Sequence, residues 1–296
     1  MKIFVNKEKA RWILDDIWED YKRFSKHQVV GINDCPDICW FLNPWGLKDQ
    51  YSRIPLKSYI SVHHIDETKI KEWDFRLINQ CAEACIVPNK HTEITMRKYI
   101  EVPVYRVPYW ILEKRMIPKK TIEKKDDVVR IGSFQKDTEK DGISPKLSKG
   151  PDIFIDVINK IYKNTNIKVI LSGYNRGYII NNLSRLKIPY EYQERCKDLN
   201  ALYDIIDWYF VTSRCEGGPQ AVLEAPYKKV KILSTDVGMA SEVLHKDCIC
   251  KNSEDFVDKF NKNVDQIEYN YQNIFDNYIP QKIVPLLDDI FEKGGK

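Results

Sequence analysis

The chain has 296 residues, of which 43% are hydrophobic and 12% aromatic, and it carries a formal net charge of +4. This length suits two domains of about 100–200 residues better than a single core. No apolar run approaches the ~20 residues that cross a bilayer, and the stretch MKIFVNKEKARW becomes charged too early for a signal peptide. We therefore expect a globular cytoplasmic protein, and the small net charge argues against nucleic acid as a main partner.

Strands and helices alternate in the first part of the chain. Apolar runs predict strands at 2–5, 29–32, 38–42, 58–62, 84–88 and 104–108, and stretches of helical period predict helices at 8–24, 66–83 and 90–100. Such alternation is typical of a parallel sheet that is covered by helices on both faces.

The first predicted helix carries an apolar face beside basic residues. A face of this kind is compatible with peripheral contact at the inner face of a membrane. A helix that packs on the core explains the same pattern, and we favour that interpretation. The apolar residues are Trp12, Ile13, Ile17, Trp18 and Tyr21, and the basic ones are Lys9, Arg11, Lys22 and Arg23.

A charged segment interrupts the pattern, and the alternation then restarts. Residues 113–127 lack a clear period and predict a surface linker. The chain therefore divides into an N-terminal domain (1–112) and a C-terminal domain (128–279), and we predict two doubly wound Rossmann-like α/β domains that face each other. Further strands are expected at 128–134, 167–173, 188–192, 207–213, 230–236 and 248–250, and helices at 150–163, 176–185, 197–206, 219–226, 239–244, 253–263 and about 280–293.

The eight cysteines do not form a recognisable metal framework. Zinc modules usually show C-x2-C pairs or histidine partners at set distances, and neither is present. We therefore predict reduced thiols and no metal. The closely spaced pairs are Cys35/Cys39, Cys81/Cys85 and Cys248/Cys250.

The sequence SRCEGGPQAVLEA (213–225) lies where open α/β sheets bind ligands, after a strand and at the start of a helix. Gly217 and Gly218 allow a close approach of the backbone, Pro219 suits a first helical turn, and the helix N-terminus favours phosphate. Glu216 and Glu224 would repel a phosphate but can accept hydrogen bonds from hydroxyl groups. The pattern suggests a nucleotide sugar, although a glutamate on a helix and a Gly-Gly-Pro turn are also common without any ligand.

This segment, followed by ILSTDVGMASEVL (232–244), resembles the C-terminal domain of the retaining GT-B glycosyltransferases of family 4, also called glycosyl transferases group 1. Their hallmark is two glutamates separated by seven residues. IGSF and SKGPDIFIDVI (131–158) and LSGYNRG (171–177) are similar to upstream elements of that family. The resemblance covers roughly residues 128–245.

The resemblance implies a role for each matching residue. Glu216 would contact the transferred sugar, and Glu224 would bind the ribose hydroxyls. Lys149, in the Lys-Gly pair, would hold the diphosphate, near the backbone N–H groups of Gly217 and Gly218.

The family commonly has an arginine where this chain has Ser133. Lys136 and Arg176 are the candidates for the second cation. Tyr192, at a strand end, is expected near the nucleotide base. In the shortened N-terminal domain, His63 or His64 resembles a histidine near the donor sugar, and we favour His63, although a histidine at this position can also cap the following helix.

The resemblance further implies the reaction. A hexose-type sugar would pass from a UDP- or GDP-sugar to a hydroxyl on a glycan, a lipid-linked acceptor or a small molecule. No cofactor or metal is expected, the anomeric configuration would be retained, and the C-terminal helix (about 280–296) would pack back on the N-terminal domain. The alternative is a non-catalytic module that binds nucleotide sugars.

Overall fold

The structure is a computed structural model, and it describes residues 1–7, 13–44, 57–122 and 126–294. The chain divides into two compact units. The first comprises Met1–Glu113 with Asp276–Lys296, and the second comprises Lys114–Phe275.

The first unit contains a parallel sheet of six described strands. Its central strands are buried along their whole length, as expected for a sheet covered on both faces. The strands are β1 (Lys2–Val5), β2 (Gln28–Val30), β3 (Ile38–Phe41), β4 (Ser58–Ser61), β5 (Ala84–Val87) and β6 (Val104–Arg106), in the order β2-β1-β3-β4-β5-β6.

The helices of the first unit are α1 (Ile13–Phe24), α2 (Phe75–Cys81) and α3 (Lys90–Met96). The helix predicted at 66–83 is divided into a 3-10 segment (Glu67–Glu72) and α2, because Asp74 caps α2 by accepting a hydrogen bond from Leu77 N at 3.3 Å. Asn89 caps α3 in the same way, through Thr92 N at 2.8 Å.

The apolar face of α1 packs on the core of the first unit, as our favoured interpretation predicts. Ile17 and Tyr21 are buried, and Tyr21 Oη donates to Asp288 Oδ1 at 2.9 Å. Lys9, Arg11 and Trp12 lie outside the described residues. The C-terminal helix α11 (Pro280–Gly294) carries Asp288, and its Phe291 contacts the rings of Tyr21, Trp40 and Tyr59.

The second unit repeats the architecture, again with parallel strands only among those described. The order of the strands along the sheet reverses at its middle, between the neighbouring strands Trp208–Val211 and Val129–Phe134. Its strands are β7 (Val129–Phe134), β8 (Ile167–Ser172), β9 (Tyr190–Gln193), β10 (Trp208–Val211), β11 (Lys231–Thr235) and β12 (Ile249–Cys250), in the order β12-β11-β10-β7-β8-β9.

The helices of the second unit follow the predicted positions, with one addition. Residues 267–277 form a helix that the sequence did not indicate, because among the apolar side chains of this helix only Ile274 is buried. The helices are α4 (Pro151–Tyr162), α5 (Gly177–Arg185), α6 (Leu199–Ile205), α7 (Ala221–Tyr227), α8 (Ala240–Val243), α9 (Ser253–Asn261) and α10 (Ile267–Asn277).

From Lys114 onward, the described part of the predicted linker belongs to the second unit. Lys228 Nζ donates to Ile117 O at 3.0 Å and to Pro118 O at 3.3 Å, and it forms an ion pair with Asp204 at 2.8 Å. Residues 123–125 of that linker lie outside the described residues. No helix within the described ranges is both long and apolar enough to span a membrane.

Candidate functional site

The site lies in the second unit, at the carboxyl ends of β7 and β10. These strands are neighbours at the point where the strand order reverses, and open α/β sheets bind ligands at such a switch point. The loop after β7 and the loop after β10 therefore begin side by side. They carry most of the residues that the sequence singled out.

Lys149 and Glu216, from these two loops, form an ion pair. Lys149 ends a 3-10 turn (Leu147–Lys149), and its Nζ donates to Glu216 Oε1. Ser213 Oγ donates to the same oxygen at 3.1 Å. The side chains of Lys149 and Glu216 are 23% and 12% exposed, so both are partly shielded from water but remain accessible to a ligand.

The backbones of the loops after β7 and β10 pack closely, and this packing holds Lys149 next to Glu216. Gly150 follows Lys149 with a φ of 61°, and a Cβ there would lie 1.8 Å from Thr212 O. Thr212 Oγ1 donates to Gly150 O at 2.9 Å, and Ser148 O accepts from the N–H groups of the residues at 214 and 215, at 2.8 and 3.0 Å. The Lys-Gly pair therefore lies directly on the segment that leads to Glu216.

The loop after β11 supports the glutamate from the other side. Gly238 has a φ of 57°, and a Cβ at this position would lie 2.7 Å from Gly217 O and 2.9 Å from Glu216 O. Only glycine permits this approach. The backbone of residues 216–217 is consequently held between two loops.

Gly217 and Gly218 directly precede the segment that leads into α7. The sequence analysis placed Pro219 in the first helical turn, but the helix begins at Ala221, so Pro219 lies before that turn. Its carbonyl accepts from Val222 N at 2.9 Å and closes the turn into the helix. Pro226 lies inside α7, which ends at the next residue.

Glu224 is a buried carboxylate of α7 whose two oxygens are both contacted. Tyr203 Oη donates to its Oε2 at 2.9 Å, and Arg115 Nε lies 3.2 Å from its Oε1. Burial, and secondarily the charge of Glu224, raise the pKa of Tyr203 well above its usual value, so its hydroxyl stays protonated. Arg115 was missed in the sequence analysis because it lies in the segment that was interpreted as a solvated linker.

Arg176 is fully buried and does not offer its charge to solvent. It donates to Ser133 O, Ser133 Oγ and Ser172 O at 2.6, 3.0 and 2.7 Å, and it lies 2.8 Å from Asp137 Oδ2. Burial raises the pKa of Asp137 to about 6, although the arginine opposes this shift. Arg176 thus joins the ends of β7 and β8, and of the two predicted second cations only Lys136 is exposed.

Tyr192 lies in β9, beside the end of β8. Its hydroxyl donates to Gly173 O at 3.1 Å, and burial raises its pKa. Its expected position near a nucleotide base stays a prediction.

The candidate histidine of the first unit follows β4. The ring of His63 contacts Tyr109 Oη through Nδ1 and Leu42 O through Nε2, and burial lowers its pKa to about 4. Because a carbonyl can only accept, the neutral ring carries its hydrogen on Nε2, and Nδ1 accepts from Tyr109. The adjoining cavity has a volume of about 20 Å³, which is room for one water molecule rather than a ligand, and His64 is exposed.

Acidification should reveal the burial of His63. Its pKa is lower in the folded than in the unfolded chain, so only the unfolded chain gains a proton as the pH falls from about 6.5 to about 4. The free energy of unfolding should therefore decrease over this range, by up to about 3 kcal/mol. Urea unfolding at several pH values measures the slope.

His63→Gln should remove this part of the pH dependence. His91→Gln, at an exposed histidine of α3, is the control and should leave the slope as in the unmodified protein. Identical slopes for all three proteins would contradict the assignment.

Comparisons with known proteins identify a family that matches part of the second unit. A model of the family described as glycosyl transferases group 1 matches residues 143–267, which include Lys149, Glu216 and Glu224. No curated protein sequence matches the chain.

Several solved structures share the fold at low sequence identity. Anabaena HepE in complex with UDP is 11% identical, with a TM-score of 0.74 over 99% of each chain. Sucrose-phosphate synthase from Thermosynechococcus elongatus is 9% identical, with a TM-score of 0.69 over 93% of this chain and 76% of the other. A TarM variant from S. aureus is 14% identical, with a TM-score of 0.68, and the match spans 86% of this chain and only 55% of TarM.

These likenesses establish the fold, and the family model covers the segment that carries the two glutamates. The resemblance of residues 213–244 to the glycosyl transferases group 1 is thereby confirmed, since the family model includes them. The chain has the two-sheet GT-B fold of glycosyltransferases, and its residues 143–267 match the glycosyl transferases group 1.

Proposed function

We propose that the protein is a cytoplasmic glycosyltransferase that moves a hexose-type sugar from a UDP- or GDP-sugar to a hydroxyl acceptor. The observation that carries this proposal is the Lys149–Glu216 pair at the carboxyl ends of β7 and β10, with Glu224 eight residues further along in α7. This combination offers one cation for a diphosphate and two carboxylates for hydroxyl groups. It lies where the fold binds ligands.

In this proposal the ligand separates the ion pair between Lys149 and Glu216. The Lys149 ammonium turns to the diphosphate, and Glu216 accepts hydrogen bonds from the sugar. Glu224, oriented by Tyr203 and Arg115, accepts from the ribose hydroxyls. Gly217 and Gly218 offer backbone N–H groups to the pyrophosphate and the sugar.

The chemistry follows from where charge develops. As the bond to the sugar breaks, the ring becomes oxocarbenium-like and negative charge grows on the diphosphate. Lys149 stabilises that charge without a divalent metal. We further propose transfer with retention, in which the departing phosphate takes the proton of the acceptor. The expected role of His63 stays a prediction.

Two neighbours support the choice of donor and acceptor. The structure of Anabaena HepE is a complex with UDP and glucose, and that of the TarM variant is a complex with Fondaparinux, α-GlcNAc-glycerol and UDP. We propose by analogy a nucleoside-diphosphate sugar as donor, and a sugar or a lipid-linked molecule as acceptor.

The ribose contact provides a sharp test. The unmodified protein should bind UDP or GDP about 10-fold more tightly than the 2′-deoxy nucleotide, since a hydrogen bond to a charged group contributes about 1.5–3 kcal/mol. Glu224→Gln should lose most of this preference. Isothermal titration with UDP, GDP and their 2′-deoxy forms measures the ratio.

The control is Glu242→Gln, at an exposed position of α8, which should keep the preference. Equal binding of the ribo and deoxy forms by the unmodified protein would refute the role of Glu224. The enzymatic proposal is tested separately, by release of UDP or GDP from donor sugars in the presence of EDTA. Nucleotide binding without any turnover would indicate a non-catalytic module.

A further inference from the structure

The loop between β7 and α4 brings another lysine, Lys146, close to Lys149. Lys146 precedes the 3-10 turn that Lys149 ends, and Lys149 N donates to Lys146 O at 2.8 Å. This hydrogen bond holds the backbones of the two lysines within one turn of each other. Lys146 is therefore placed beside the lysine that pairs with Glu216.

A second backbone contact brings Lys136 to the same place. Lys146 N donates to Asp137 O at 2.9 Å, so the residue next to Lys136 lies against Lys146. Burial lowers the pKa of Lys146, and the charges of Lys149 and Lys136 lower it further, whereas Glu139 and Glu216 act in the opposite direction. The ammonium groups of Lys149 and Lys136 thus both lie near enough to Lys146 for their charges to act on it.

The positive charge of this cluster is not balanced. Within the part of the chain that the structure describes, Glu216 is the ion-pair partner of Lys149, and neither Lys136 nor Lys146 forms an ion pair. Lys146 is at the same time partly buried. Ammonium groups that lie close together and are partly shielded from water favour the binding of a multiply charged anion.

We propose that Lys146 is a binding residue for the diphosphate of the donor, acting with Lys149 and Lys136. This inference rests on the proposed function. It also accounts for Ser133, which stands where the family has an arginine, and for Arg176, whose charge is buried against Asp137. In this chain the cations come from one loop, residues 136–149.

Inorganic pyrophosphate is the probe, because it tests the cluster without any assumption about the base or the sugar. Lys146→Met and Lys146→Gln should each weaken the binding of pyrophosphate and of UDP or GDP about 10-fold in isothermal titration, and should reduce the dependence of the affinity on salt. Lys146→Arg should restore most of the affinity. The matched control is Lys140→Met, at an exposed position of the same loop, which should bind like the unmodified protein.

The outcomes separate this inference from the proposed function. If the unmodified protein binds pyrophosphate and nucleoside diphosphates but Lys146→Met and Lys146→Gln bind them equally well, the role of Lys146 is refuted and the proposed function stands. If the unmodified protein binds neither pyrophosphate nor any nucleoside diphosphate, both fall. A loss in Lys146→Met that Lys146→Arg does not restore would also refute the inference, because it would indicate a structural effect.

Discussion

Replacing Lys149 by methionine should lower the rate of sugar transfer about 100- to 1000-fold, the range found when one donor that stabilises a developing negative charge is removed. The lysine is placed to stabilise the leaving diphosphate, whose charge is larger in the transition state than in the bound donor. The loss should therefore fall mainly on kcat. Steady-state kinetics with the preferred donor measure kcat and KM separately.

Two further variants complete this test. Lys163→Met, at an exposed lysine just after α4, is the matched control and should leave kcat unchanged. Glu216→Gln combined with Lys149→Met should cost less than the sum of the single losses, because the two side chains contact each other. An unchanged kcat in Lys149→Met would rule out the proposed role of this residue.

Gly150→Ala should destabilise the second unit by about 3 kcal/mol or more and should also abolish transfer. The left-handed conformation alone costs about 1–2 kcal/mol for a residue with a Cβ. The larger part of the loss arises because that Cβ would lie 1.8 Å from the backbone oxygen of Thr212, which cannot move without displacing β10. Since Lys149 is the preceding residue, the relaxed loop would carry its ammonium away from Glu216.

Gly142→Ala is a matched control within the same loop. Gly142 has a φ of 76°, but an added Cβ would meet nothing within 4 Å, so only the conformational cost of about 1–2 kcal/mol applies. Urea unfolding of the two variants measures the difference. Equal losses would mean that the contact between Gly150 and Thr212 does not hold the two loops together.

Much of the architecture could be read from local patterns. The alternation of apolar runs with helical periods predicts both parallel sheets, since a strand buried on both faces must be apolar along its length. The predicted strands agree with the observed ones to within about two residues, and the Glu216–Glu224 spacing indicated the correct family segment. The helix at 267–277 was missed because few of its apolar side chains are buried.

Side-chain partners were much harder to predict. Arg176 was predicted as a candidate for the second cation, yet it is buried against Asp137 and Ser133. Arg115 belonged to a segment without periodicity, yet it contacts Glu224. Lys146 had no motif around it. Each of these contacts joins residues that no repeating pattern relates.

The amino-acid sequence by itself determined the two α/β units and the identity of the paired glutamates, because hydrophobic period and residue spacing are local properties. The tertiary structure alone decided which lysine and arginine side chains are available to bind an anion. Arg176 is buried in an ion pair with Asp137, and Arg115 contacts Glu224. Of Lys136, Lys146 and Lys149, only Lys149 forms an ion pair among the described residues, with Glu216. Whether a charge is exposed or paired depends on which distant segments fold against it, and no local pattern contains that information.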